Sequence, residues 1–226
     1  MINDNIRKIM QRRADTPQRN RSVNKFIYLK LRFKIIIYFL AGFKLKKLSA
    51  KCKSFDDYLN LIASFSFSIF NLTAPVLIWT SQRKSELTKF CKIVAKFCPK
   101  SVFEIGTANG GTLLLLTKLS APDALIGSID LFGGIKKSYR EIFFQSYATQ
   151  NQEVFYIQKN SHSFSALLEL KKKLKNKKID LLFIDGDHSY DGVKKDFEMY
   201  APLVKKNGII AFHDIVKCSP EFAPNV

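Results

Sequence analysis

Cysteine is scarce in this chain, with four in 226 residues at positions 52, 91, 98 and 218, and no CxxC pair among them. No pair has zinc-finger spacing. The four are expected to be free thiols in a reducing compartment, with Cys91 and Cys98 on the apolar face of a helix. Long apolar runs are absent from the N-terminal third. Its uninterrupted stretch, Ile35 to Ala41, is far short of the about 20 residues that cross a bilayer. No small-residue cleavage pattern follows it, so a secretory signal is not expected and the chain is placed in the cytoplasm, with peripheral membrane contact left open. The G-x-G-x-x-G fingerprint is also missing, which counts against a dinucleotide-dependent oxidoreductase.

Acidic residues are few where the chain begins. Residues 1 to 53 hold 15 Lys/Arg against Asp4 and Asp15, so this segment supplies +13 of the net +18. The basic excess therefore describes an N-terminal extension, residues 1–80, and not the remainder, 81–226. Residues 1 to 25 are polar and basic and are expected to be poorly ordered. Residues 26–47, FIYLKLRFKIIIYFLAGFKLKK, mix bases with aromatics. Two readings stay open for them: an interfacial helix on an anionic membrane, or a helix that covers the core or a partner subunit in an oligomer. The second is preferred. Nucleic acid ranks below both, because no recognisable nucleic-acid module accompanies the charge. Residues 55 to 79 are apolar and expected to be helical to about Leu72, with Pro75 as a breaker.

From residue 82 short apolar runs alternate with segments of helical period. SVFEIG (101–106), ALIGSID (124–130), EVFYIQ (153–158), IDLLFID (179–185) and GIIAFHD (208–214) read as strands. Leu87, Phe90, Cys91, Val94 and Cys98 mark one helix, and 111–120, 136–150 and 165–176 three more. Val193, Phe197, Tyr200, Ala201 and Val204 mark a last one, ended by Asn207-Gly208. Continuous apolar strands between helices predict a Rossmann-like, doubly wound, mostly parallel sheet with helices on both faces.

In such sheets ligands bind beyond the carboxyl ends of the strands. Those ends here are polar: Glu104 and Gly106, Asp130, Asn160 to His162, Asp185 to His188, and His213 with Asp214. All three histidines of the chain fall on this rim. In EIGTANGG, Gly106 lets a ligand approach the backbone, and Gly110 and Gly111 open a helix whose N–H groups face the same place. Glu104 would repel a pyrophosphate and suits a cationic or zwitterionic ligand. Asp130 is placed to accept ribose hydroxyls.

The segments VFEIGTANGGTL and DLLFIDGDHSYDGVKKDFEMYAPLVKKNGIIAFHDI, with the acid ending the strand between them, resemble the class I S-adenosylmethionine-dependent methyltransferases. The likeness spans about residues 82 to 216. It is to the branch with macrocin-type sugar O-methyltransferases, cephalosporin-hydroxylase-like proteins and, more distantly, catechol O-methyltransferase. The resemblance implies an enzyme with S-adenosylmethionine held by Glu104, Gly106, Thr107, Gly110, Gly111, Asp130, Asn160, Ser161 and Asp185. It implies a Mg²⁺-like ion on Asp185 and Asp214, with His213 standing where metal-binding relatives often carry an acid. It further implies His188, three residues after Asp185, as the base. The acceptor would be a small-molecule or sugar hydroxyl.

Members of that branch continue past the fifth strand into an antiparallel hairpin. This chain stops at Val226, so strands six and seven are expected to be missing and the fifth strand to be an unprotected edge. That supports a rival reading, a non-catalytic or truncated methyltransferase-fold protein tethered to a membrane or partner by its basic N-terminus. An amino-methylating nucleic-acid enzyme is disfavoured, since IDGD stands where an N/D-P-P-Y motif would be.

Overall fold

Apolar runs with small or polar ends become the strands. The computed structural model describes residues 21–69, 75–80, 82–131, 137–149 and 151–214, with side chains from residue 33 onward. A long helix, α1 (Arg21–Ser49), is followed by α2 (Phe55–Ser64) and a two-residue antiparallel pair, β1 (Ser66–Phe67) with β2 (Val76–Leu77). Then come α3 (Lys84–Phe97), β3 (Ser101–Ile105), α4 (Gly111–Leu119), β4 (Leu125–Asp130), α5 (Lys137–Gln145) and β5 (Glu153–Gln158). The chain continues through α6 (Phe164–Leu174), β6 (Ile179–Ile184), α7 (Tyr190–Tyr200), a 3₁₀ turn (Ala201–Leu203) and β7 (Val204–Phe212).

Five strands form one sheet in the order β5-β4-β3-β6-β7, every neighbouring pair parallel. β3 lies at the centre, and the chain leaves it toward β4 on one side and returns through β6 on the other. The strand order reverses there, which opens a crevice at the carboxyl end. Alternate residues of each strand serve opposite layers. Val102, Ile126, Val154, Tyr156, Leu181 and Phe183 pack under α1 to α5. Phe103, Ile105, Ile129, Ile157, Leu182 and Ile184 pack under α6 and α7.

The expectation that strands six and seven are missing is corrected. In chain order the sixth and seventh strands are β6 and β7, and both are present in the sheet. The sequence reading counted them fourth and fifth, because β1 and β2 are two residues each and too short to show a period. The expectation of a helix to Leu72 is corrected as well. The helix stops at Ser64, since Phe65 and Phe67 alternate with Ser64, Ser66 and Ser68, a period of two that feeds a strand. The last helix ends at Tyr200, earlier than expected. Pro202 fits only a 3₁₀ turn there, and Val204 already belongs to β7. Asn207, at φ +63°, turns the chain where the β6–β7 register slips between Ile179 and Leu181.

Cys91 is buried, but Cys98 is exposed in a left-handed C-cap of α3. Cys52, Cys91 and Cys98 are free thiols, and Cys218 lies outside the described residues. Residues 1–20, most of the stretch expected to lack order, also lie outside them, and α1 begins at Arg21. α1 presents Ile37, Ala41 and Leu45 to the core, and Tyr38 stacks on Tyr139 of α5 with ring centroids 5.6 Å apart. Gly42 permits this approach, since a Cβ there would meet the Ser146 Cβ at 2.8 Å. Among the described residues no helix is long and apolar enough to cross a membrane.

Candidate active site

The turn after β3 is built by the sheet around it. Gly106 has φ +86°, a conformation open to glycine, and a methyl group there would overlap the Asp185 carbonyl oxygen. The Gly106 N–H donates to Ile129 O (2.9 Å), and the Asp185 N–H to Ile105 O (2.8 Å), locking the loop between β4 and β6. Thr107 N and Ala108 N both donate to Asp130 Oδ2, at 2.8 and 2.7 Å. Ala108 itself sits at φ +40°, and its carbonyl accepts a hydrogen bond from the buried Arg140 of α5. Gly110 N donates to Thr107 O (2.8 Å), and Gly111 starts α4 with its N–H on Trp79 O (3.2 Å).

A cavity of about 550 Å³ opens over this turn. Gly106, Thr107, Asp130, Asn160, Ser161, Asp185 and His188 line it together. Glu104, Gly110 and Gly111, expected to hold the same ligand, are not among its lining residues. Glu104 is fully buried, and its two carboxylate oxygens have no hydrogen-bond partner among the described residues. Burial, with the charges of Asp185 and Asp130, holds this carboxyl well above the usual range, against the opposing pull of Arg140. Asn160 Oδ1 accepts from His162 N (2.8 Å), and Ser161 O accepts from Tyr200 Oη (2.7 Å), so the turn after β5 is braced from α7.

The second half of the site is ionic. His188 Nδ1 lies 2.8 Å from Asp214 Oδ2. His213 Nδ1 lies 2.9 Å from Asp214 Oδ1 and 3.2 Å from Asp185 Oδ1, within ion-pair distance but out of hydrogen-bond alignment. The Asp185 carboxylate, then Asp214, pushes His213 up to about 9 against the burial that works to lower it. Asp185 Oδ2 accepts from Gln82 Nε2 at 2.5 Å, and Gln82 Oε1 accepts from Thr112 Oγ1 at 2.8 Å.

Of the three rim histidines, His162 has a structural setting. Its Nε2 is 3.3 Å from the buried Asp196 and 3.2 Å from Gly192 O. Asp187 Oδ1 accepts from Ser189 N (2.9 Å), which lowers the Asp187 pKa, and the Ser189 side chain caps α7. Sequence reasoning missed Trp79, Thr80 and Gln82, which wall the cavity from the segment before α3. It also missed Arg140. No period or motif marks them, and only a polar Gln just ahead of a helix start hinted at Gln82.

Asp185, His188 and Asp214 each offer a donor atom, all within 4.8 Å of one another. Two carboxylates and one imidazole suit a hard or borderline divalent cation. The Nδ1 of His213 addresses the same two carboxylates as a rival. The features that suit a zwitterionic, sulfonium-bearing nucleoside are a glycine turn, an acid ending β4, and the buried Glu104 carboxylate, which has no hydrogen-bond partner among the described residues.

A methyltransferase-domain family matches residues 103–215, half of the chain. An uncharacterized protein of Acanthamoeba polyphaga mimivirus is 34% identical over 126 residues, covering 54% of this chain and 56% of that protein. One from Sinorhizobium fredii is 26% identical over 121 residues, covering 51% of this chain and 13% of that protein. The chain thus spans little more than half of one relative and a small part of the other. Among solved structures, the O-methyltransferase TomG of Streptomyces achromogenes, in complex with S-adenosylmethionine, is 14% identical, with TM-score 0.49, covering 66% of this chain and 64% of that one. CalS11, a TDP-rhamnose 3′-O-methyltransferase of calicheamicin biosynthesis, is 17% identical, with TM-score 0.46, covering 77% and 76%.

Proposed function

This chain belongs to the methyltransferase-domain family, and we propose that it is a class I S-adenosylmethionine-dependent enzyme whose rim site O-methylates a hydroxyl of a small-molecule or sugar acceptor. The observation that carries this reading is the His188–Asp214 pair at 2.8 Å, beside Asp185 and at the mouth of the glycine-lined cavity. Bound there, S-adenosylmethionine supplies an electrophilic methyl group.

The chain's own residues do the rest. Asp214, 2.8 Å from His188 Nδ1, would keep the proton on that nitrogen and leave Nε2 as the basic one. Nε2 removes the hydroxyl proton as the acceptor oxygen attacks in line, the work of a general base. Asp185 is held in one orientation by Gln82 and faces the same space. Asp130 fixes the turn and takes the ribose hydroxyls. Glu104 answers the positive charge of the methionine part, and Asn160 with Ser161 borders the adenine. If a Mg²⁺-like ion assists, Asp185 and Asp214 would hold it, and a cation there would lower the acceptor hydroxyl's pKa while His188 serves as the base.

Calorimetric titration with S-adenosylhomocysteine tests the reading. The chain should bind it, and Asp130→Asn, which keeps an acceptor for the turn, should weaken that binding by at least about tenfold. A folded wild-type chain that takes up no S-adenosylhomocysteine would refute the proposal.

A further inference from the structure

The long basic helix α1 has two apolar faces, and only one is used by the fold. Ile35, Ile37, Ala41 and Leu45 are buried. On the outer side Phe33 (38%), Ile36 (47%), Leu40 (37%) and Phe43 (54%) remain exposed, at spacings that bring them onto one stripe. Globular helices seldom leave such a stripe bare, and a contiguous apolar patch marks a contact surface.

The surroundings of the stripe indicate what covers it. α1 has no acidic residue in its 29-residue length. Leu40, Phe43 and Phe67 line a shallow groove of about 560 Å³ together with Lys44, Lys47 and Lys51. The lysines stand at its margin and not on the opposite side of the helix. Lys47 Nζ lies 4.5 Å from the Phe43 ring centroid, and Lys44 Nζ lies 5.8 Å from the Phe65 and Phe67 centroids while donating to Ser66 O at 3.0 Å. Their stems follow apolar surface and their charges end at its edge, the posture of side chains at an interface between hydrocarbon and charged headgroups. A protein partner would be read by directional groups, but the residues of this stripe are aliphatic, aromatic or lysine, which offer no acceptor side chain. We infer that the outer face of α1 docks on an anionic lipid surface, lying in the headgroup plane with Ile36, Leu40 and Phe43 inserted and Lys44, Lys47 and Lys51 on the headgroups. The helix does not cross, since its core-facing residues stay packed on α5. This inference stands independently of the catalytic reading.

The test is co-sedimentation of the 226-residue chain with vesicles of phosphatidylserine and phosphatidylcholine, against vesicles of phosphatidylcholine alone. Binding should be selective for the anionic vesicles and released by salt near about 1 M, where the screening length falls to about 3 Å. Lys47→Glu with Lys51→Glu should weaken it by at least about 25-fold, from about fivefold per lysine at the surface. Phe43→Ser should weaken it about tenfold or more, through lost apolar burial. Melting temperatures of the variants should match the wild type, because all three side chains are exposed, so a loss of binding is not a loss of fold. No binding to anionic vesicles, equal binding to both vesicle types, or indifference to both sets of substitutions would overturn the inference. So would self-association in the ultracentrifuge that Phe43→Ser abolishes in a chain that leaves vesicles alone.

Discussion

Removing the Asp130 carboxylate should damage the fold as well as the binding of cofactor, and the two effects can be separated. One oxygen, Oδ2, receives the N–H groups of Thr107 and Ala108 at 2.8 and 2.7 Å. Hydrogen bonds to a charged acceptor contribute about 1.5–3 kcal/mol each. The two are unequal after mutation: Ala108 is exposed, so water can replace the acceptor there, whereas Thr107 is buried and its N–H would be orphaned. We therefore expect Asp130→Ala to destabilise the protein by about 2–4 kcal/mol, dominated by Thr107. For a chain of this size that lowers the melting temperature by about 5–15 °C. Asp130→Asn keeps an sp² oxygen in place, so neutral bonds of about 1 kcal/mol each survive and the cost falls to about 1–2 kcal/mol. If the same carboxylate also takes the ribose hydroxyls, Asn should recover stability but not affinity for S-adenosylhomocysteine, which stays at least about tenfold weaker. Scanning calorimetry and isothermal titration read the two quantities. An Asp130→Ala protein that melts with the wild type would refute the loop argument, and an Asn variant with wild-type affinity would refute the ribose assignment.

Glu104→Gln should raise the stability of the ligand-free protein at neutral pH and weaken cofactor binding. The folded carboxyl binds its proton more tightly than the unfolded one, so stability falls as pH rises from the ordinary carboxylate range through the raised value; the amide should flatten that slope in denaturant titrations. His213→Gln tests the opposite sign. A folded value of about 9 above the usual 6.5 means its ion pairs stabilise fully below the lower value and fade as pH rises through the upper, so the variant should lose stability at pH 6 and little at pH 10. The same variant should bind Mn²⁺ more tightly than the wild type, by titration, because a rival cation has left Asp185 and Asp214; weaker binding would assign His213 to the metal. His188→Ala should keep S-adenosylhomocysteine affinity and slow methyl transfer by about 10²–10⁴-fold once an acceptor is supplied, with unchanged turnover removing it as the base.

The strands and the rim were legible in the sequence because they depend on local chemistry. An apolar run such as LLFI closed by Asp185 can only be a buried strand meeting a polar edge, and Gly106 announces a turn that a side chain would block. The five strands of the sheet, the glycine turn and the grouping of Asp130, Asp185, His188 and Asp214 at one end follow from that pattern and from the parallel topology it requires. Helix ends were less legible: Ser66 and Phe67 read as continuing helix until cross-strand pairing with Leu77 and Val76 claimed them. What only the tertiary structure decided are contacts between residues far apart in sequence, for which no local period exists. Gln82 meets Asp185 across a separation of 103 residues, and Asp180 takes the Lys100 N–H across 80. The pairing of His188 with Asp214, and not with its neighbour Asp187, depends on β7 ending beside β6. The double role of α1, one face on α5 and one left bare, was likewise undecidable from a helix that is apolar on both sides. Only packing against Tyr139 and Ser146 chose which side the core would take.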